Sequence, residues 1–186
     1  MQILSRLYLF LCRWKLRGTV PENKDVIMVS YPHTSIWDVF SIYAILAKHG
    51  KGIKMAGIAR KGMPARMGAC MNMQIIEVDV KKHTNRLSQI VQKYQGGWLA
   101  LAPGGTRSFR PYVRTGFYHM AKGCNVPIVF ANANFRNHTV SFSAPLDVSH
   151  LTKEETIQHM FEYYSSQNLM HSGKYGTNAN IIKMKT

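Results

Sequence analysis

The sequence predicts an α/β fold, with a central, mostly parallel sheet flanked by helices. Three observations predict it. Short apolar runs of strand length alternate with helical stretches along most of the chain. Two of the runs, Val26-Ile27-Met28-Val29 and Trp98-Leu99-Ala100-Leu101-Ala102, are apolar without interruption and read as strands, the first of them buried. Each is followed at once by a polar turn rich in chemistry, and in such sheets ligands sit outside the carboxyl ends of the strands.

The elements follow in order. Met1 to Arg17 reads as an amphipathic helix, with Ile3, Leu4, Leu7, Tyr8, Leu9, Phe10, Leu11 and Trp14 apolar and Arg6, Arg13, Lys15 and Arg17 basic. Its unbroken apolar run, Leu7 to Cys12, is far shorter than the ~20 residues a spanning helix needs, and no cleavage site of a signal peptide is visible. Two arrangements fit it: lying flat in a bilayer interface, or packing on its own domain. A turn over Gly18 to Asp25 leads into a strand ending at Ser30, a loop, and a helix to about Lys48 that closes at Gly50. A second strand covers Ile53 to Ile58. Arg60 to Met73 reads as a helix because Met63, Met67, Cys70 and Met71 repeat at helical spacing. Gln74 to Val80 alternates as a third strand, and Asn85 to Gln95 is amphipathic, with Leu87, Ile90, Val91 and Tyr94 on one face. After the strand at Trp98, further strands are expected at Val126 to Ala133 and, as an edge, at Thr139 to Ser143. A last helix runs from Thr152 to about Ser165, opened by a capping box of Thr152 and Glu155. The tail, Gln167 to Thr186, reads as irregular and basic. No linker or repeat divides the chain, so residues 1–186 form one domain.

With 46% apolar residues the chain is globular, and its net charge of +15 directs it toward polyanions: nucleic acid, an anionic lipid surface or phosphorylated substrates. Only nine residues are acidic, so each carboxylate invites the question of its purpose. Cys12, Cys70 and Cys124 form neither a disulfide framework nor a metal-ligand pattern, and read as buried free thiols of a reducing compartment.

Two turns carry the chemistry. In Ser30-Tyr31-Pro32-His33-Thr34-Ser35-Ile36-Trp37-Asp38, His33 and Asp38 fall at a strand-to-helix junction. There the acid can hold one imidazole nitrogen and leave the other free to take a proton, the pairing a general base requires. In Pro103-Gly104-Gly105-Thr106-Arg107-Ser108, two glycines free backbone N–H groups, Thr106 and Ser108 add hydroxyls, and Arg107 adds a fork suited to phosphate. The spacing is not that of a Walker loop. By itself the second stretch reads better as an ordinary turn. His119 and His159 lie in helical stretches and read as satisfied core or surface residues.

Together with Val126-Pro127-Ile128-Val129, these pieces resemble the lysophospholipid acyltransferase family, the glycerolipid acyltransferases of phosphatidic acid synthesis. His33 to Asp38 matches its H-x4-D motif, Pro103 to Arg107 its P-E-G-T-R motif, and Val126 to Val129 its V-P-I-V-type motif, in the family's order. Thr115 to His119 and Gly173 to Tyr175 resemble its short bacterial-type members.

The resemblance implies the αβ acyltransferase fold, with His33 as catalytic base, Asp38 as its orienting partner, and Gly104, Gly105, Thr106, Arg107 and Ser108 at the substrate phosphate. It implies an enzyme like 1-acylglycerol-3-phosphate O-acyltransferase. Such an enzyme moves a fatty acyl group from acyl-CoA or acyl-carrier protein to a lysophospholipid hydroxyl, without a bound cofactor or metal. It also implies a peripheral protein on the cytoplasmic face of an anionic membrane, with residues 1–17 as the interface helix. Two positions depart from the pattern. Gly104 stands where the family has Glu, which leaves the acceptor open. No Arg follows the third strand, where only Lys81 and Lys82 lie near. Two rival classes remain on the residues alone. One is a lipid-binding relative without catalysis. The other is a nucleic-acid-binding module, for which no recognised motif accompanies the charge.

Overall fold

The computed structural model describes residues 2–31, 36–50, 52–60, 73–78, 86–104 and 113–167. In chain order they form α1 (Gln2–Leu11), β1 (Lys15–Arg17), β2 (Val26–Ser30), α2 (Ile36–His49), β3 (Met55–Arg60), β4 (Met73–Val78), α3 (Arg86–Lys93), β5 (Trp98–Leu101), α4 (Gly116–Cys124), β6 (Ile128–Asn134), β7 (Thr139–Phe142) and α5 (Lys153–Ser166). The seven strands make one sheet in the order β1-β7-β6-β2-β5-β3-β4. Strands β6, β2, β5, β3 and β4 are mutually parallel, while β7 runs antiparallel to β6 and β1 parallel to β7. The predicted α/β class and its mostly parallel sheet are therefore observed.

The two faces of the sheet follow from the two-residue period of a strand. Val26, Met28, Trp98 and Val129 point to one face, where Ile42, Ile45 and Leu46 of α2, Leu9 of α1 and Trp14 cover them. Ile27, Val29, Leu99 and Phe130 point to the other, covered by Ile90 of α3, Phe117 and Ala121 of α4, and Ile157, Met160 and Tyr164 of α5. Every residue of β2 and of β6 is buried. This explains why β2 reads as a continuous apolar run: a parallel strand with helices on both sides has no wet face.

At the amino ends of β2 and β5, Asp25 accepts the Gly97 N–H at 2.6 Å, and the Trp98 indole donates to the Asn23 carbonyl at 2.8 Å. Gly97 has φ +93°, and a Cβ there would lie 2.5 Å from the Lys54 carbonyl oxygen, so the turn requires glycine. Asp25 is thus a structural acid. The capping box is formed as expected: Glu155 N–H donates to Thr152 Oγ1 at 3.2 Å and Thr152 N–H to Glu155 Oε2 at 2.7 Å.

Four expectations are corrected. The first helix does not extend to Arg17: it ends at Leu11, Arg13 turns the chain with φ 53°, and Lys15–Arg17 is a strand. For the same reason β7 is not an edge, because β1 pairs outside it, with Lys15 opposite Thr139. The edge instead falls to a three-residue strand with Lys15 and Arg17 exposed, and such short, charged edges resist pairing with other chains. Cys12 and Cys124 are half-buried free thiols rather than buried ones. Of the helix expected over Arg60 to Met73, Arg60 instead ends β3 and Met73 begins β4; residues 61–72, Cys70 among them, and the tail from 168 onward lie outside the described residues.

Candidate active site

β2 and β5 are neighbours and run parallel, with Val29 opposite Leu101. Their carboxyl ends therefore stop at the same edge of the sheet. The segment leading to His33 and Asp38 leaves β2 there, and the Pro103-Gly104 turn leaves β5 there. On the other side of β2, Ser30 lies opposite Ala131 of β6, so the end of β6 reaches the same edge. The topology thus brings together the two stretches that stood out in the sequence.

Of the expected site residues, Asp38 and Gly104 are described; His33, Gly105, Thr106, Arg107 and Ser108 lie outside the described residues. Asp38 sits in the first turn of α2 with 3% of its surface exposed. A carboxylate in that position is favoured by the positive end of the helix dipole. Gly104 is half-buried and follows the buried Pro103. The Arg114 N–H donates to the Pro103 carbonyl at 3.0 Å, which ties together the two ends of the segment expected to cradle phosphate. Val113, next to that tie, is buried and anchors the returning end.

A tyrosine that the sequence did not single out organises this edge. Tyr164, fully buried in α5, donates its hydroxyl to the Val29 carbonyl at 2.6 Å and also lies 3.1 Å from the Ala131 carbonyl. The same oxygen accepts the Tyr31 N–H at 3.1 Å. Burial pushes the Tyr31 phenol up to about 12 and the Tyr164 phenol well above its ordinary value, so both remain neutral hydrogen-bonding groups. The available signal was the spacing of Ile157, Met160 and Tyr164, which marks the inward face of the helix. Beside Tyr164, Asn132 donates to Ser141 at 2.8 Å and to Tyr163 at 3.2 Å, closing a polar cluster over β6 and β7.

On the opposite face α1 packs across the start of α2. The Tyr8 and Ser41 hydroxyls are 2.9 Å apart, the Tyr8 and Trp37 rings stack at 6.2 Å, and Phe40 meets both edge-on. Leu9 is buried, while Phe10 is 80% exposed and Leu7, Leu11 and Trp37 are at least half exposed. Of the two arrangements open to this helix, packing on its own domain is therefore realised, and it leaves an apolar ridge in solvent. Among the described residues no helix is long and apolar enough to cross a membrane. His159 is exposed and lies 3.7 Å from Glu162, a surface pair, and His119 is exposed on α4.

The fold is similar to that of a solved structure, the 1-acyl-sn-glycerophosphate (LPA) acyltransferase PlsC from Thermotoga maritima. The TM-score is 0.60 at 16% sequence identity, over 89% of this chain and 78% of that one. Among curated proteins none matches significantly. The family model described as Acyltransferase matches residues 13–131, a span that takes in both turns at the sheet edge and the Val126 to Val129 strand start. With most of its length under that model and the matching fold around it, the chain belongs to the acyltransferase family.

Proposed function

We propose that the protein transfers a fatty acyl group from an acyl thioester, carried by coenzyme A or an acyl-carrier protein, to the hydroxyl of a lysophosphatidic-acid-like glycerolipid. The observation that carries this reading is the pairing of β2 with β5. It releases the segment that carries His33 toward Asp38 of α2 and the segment that begins at Gly104 and leads to Arg107 from adjacent strand ends. The acceptor oxygen attacks the thioester carbonyl as His33 takes its proton. The C–O bond forms, and the tetrahedral oxyanion is held by backbone N–H groups of the glycine turn. The C–S bond then breaks, the thiolate takes the proton back from His33, and an ester and a free thiol leave. Asp38 orients the imidazole; its burial supports that role, because a carboxylate withdrawn from water is held in one direction. Arg107, with Gly105, Thr106 and Ser108, binds the acceptor phosphate.

The enzyme works as a peripheral protein on the cytoplasmic face of a membrane. The exposed ridge of Leu7, Phe10, Leu11 and Trp37, beside Arg6 of α1 and Arg13 just past its end, supports docking on anionic lipid: an acyl layer takes the aliphatic Leu7 and Leu11 as well as the rings, whereas the bases of a nucleic acid stack on the rings alone. Gly104, where the family has Glu, favours a second reading: a relative that binds lysolipid without acylating it. The deciding experiment incubates the purified chain with a panel of lysophospholipids and acyl thioesters and follows product by mass spectrometry. Diacyl product, lost in His33→Ala, is expected. Lysolipid binding with no product from any pair would replace the enzyme by the lipid-binding relative.

A further inference from the structure

A cleft of about 800 Å³ opens where α1 ends, between α1, the start of β1 and the β6–β7 turn. Arg6, Arg13, Lys15, Lys48 and Arg136 line it, and among the described residues no carboxylate does. Like charges gathered without an acid repel one another, and an anion between them removes that cost. The other wall is apolar, formed by Leu9, Phe10, Leu11 and Trp14.

This is a built feature, not a chance meeting of surface side chains. Among the described residues three non-glycine residues have positive φ, and two of them, Arg13 (φ 53°) and His138 (φ 50°), line the cleft. The left-handed region disfavours side-chain-bearing residues and persists where the surroundings impose it. Here they do: the Lys15 N–H donates to the His138 carbonyl at 2.8 Å. The Trp14 ring stacks on His138 at 5.4 Å and meets Phe135 edge-on at 5.0 Å. Arg13 and Arg136 are thus carried on two backbone turns fastened to each other.

We propose that this cleft is a second lipid site, which holds the phosphate of an anionic phospholipid while Phe10 and Leu11 enter the acyl boundary beside it. The proposal rests on the reading that α1 faces a membrane. The guanidinium forks suit phosphate oxygens, and the exposed ridge at the rim suits the apolar layer directly below the head groups. A soluble polyanion would satisfy the cations and leave Phe10 and Leu11 in water. The β6–β7 turn leaves β6 at the same sheet edge as Asp38 and Gly104. A phospholipid seated there turns the catalytic edge toward the bilayer that supplies the acceptor.

The test is co-sedimentation of the full chain with phosphatidylcholine vesicles, with and without phosphatidylglycerol. The wild type is expected to prefer the anionic vesicles. The Arg13→Lys/Arg136→Lys variant keeps every charge but loses the forks, and its affinity for those vesicles is expected to fall about tenfold. Lys122→Ala/Lys153→Ala, on the helices of the opposite face, is expected to cost less than about twofold. Unchanged thermal unfolding of each variant shows that the fold is kept. Binding of the charge-conserving variant within twofold of wild type overturns the site, since smeared charge would then suffice. If that variant instead loses only retention on an acidic carrier protein, the occupant is a protein and the lipid site is wrong. Wild type that binds both vesicles equally removes the phosphate site and leaves membrane docking standing. Binding to neither removes both.

Discussion

The Tyr31 N–H donates to the Tyr164 hydroxyl at 3.1 Å, joining residues 133 positions apart at the point where β2 gives way to the segment that carries His33. That hydroxyl in turn donates to Val29, the residue paired with Leu101 at the end of β5. One phenol therefore fixes the end of β2 and reaches across to β6.

Tyr164→Phe removes this oxygen and keeps the ring. The Tyr31 amide and the Val29 carbonyl lose their partner, an expected loss of about 1–3 kcal/mol in urea unfolding. Because the residue positions the loop rather than touching substrate, kcat is expected to fall roughly tenfold with KM little changed. Loss of stability with full kcat would reduce Tyr164 to a packing residue.

His33→Ala and Asp38→Asn test the base and its orienting acid. Each is expected to lower kcat by roughly 100- to 10,000-fold, with circular dichroism unchanged. The double variant should be little worse than the worse single one, because groups that act as a unit are not additive. Additive losses would separate the two residues into independent roles.

The two buried phenols Tyr31 and Tyr164 should cost stability only in strong alkali. Burial raises the Tyr31 phenol from its ordinary 10.0 to about 12, and raises Tyr164 well above its ordinary value as well. A group whose folded pKa is raised contributes stability that is complete below its unfolded value. That contribution is lost as the pH climbs through the folded value. Unfolding free energy is therefore expected to hold level up to about pH 10 as far as these groups decide it, then decline toward pH 12. The tyrosinate absorbance due to Tyr31 and Tyr164, read as the difference between wild type and the corresponding Phe variants, should appear together with unfolding rather than before it. Tyr164→Phe should flatten the decline, and an unchanged slope would show that Tyr164 is not among the groups that titrate.

Gly97→Ala places a methyl against the Lys54 carbonyl in a left-handed turn. An expected loss of about 1–3 kcal/mol follows from backbone strain alone. The site lies at the other edge of the sheet, so KM for both substrates should stay at the wild-type value. A specific rise in KM would mean that the two edges are coupled.

Much of the fold was legible because its signals are local. An uninterrupted apolar run at Val26 to Val29 can only be buried, and Thr152 with Glu155 announces a helix start that needs no distant partner. The motif residues His33, Asp38 and Gly104 to Arg107 were legible as residue types at set spacings. Lys15 to Arg17 was not: three residues with two charges carry no strand signal, and they extend only because β7 offers an open row of backbone groups. Tyr164 was visible as an inward-facing residue of a helix but not as the keeper of Tyr31. Arg13 and Arg136 gave no sign that they would share a cleft.

The sequence by itself determined the alternation of strands and helices, the burial of β2, and the residue types of two stretches suited to a base and a phosphate cradle. Tertiary structure decided the strand order, and with it the placing of Val29 beside Leu101, the covering of β7 by β1, and the reach of Tyr164 to the end of β2. The reason is physical. Propensity, period and capping act within a few residues of the chain. Strand order and hydroxyl-to-backbone contacts across 133 positions are settled only when the apolar faces of the whole sheet are buried at once.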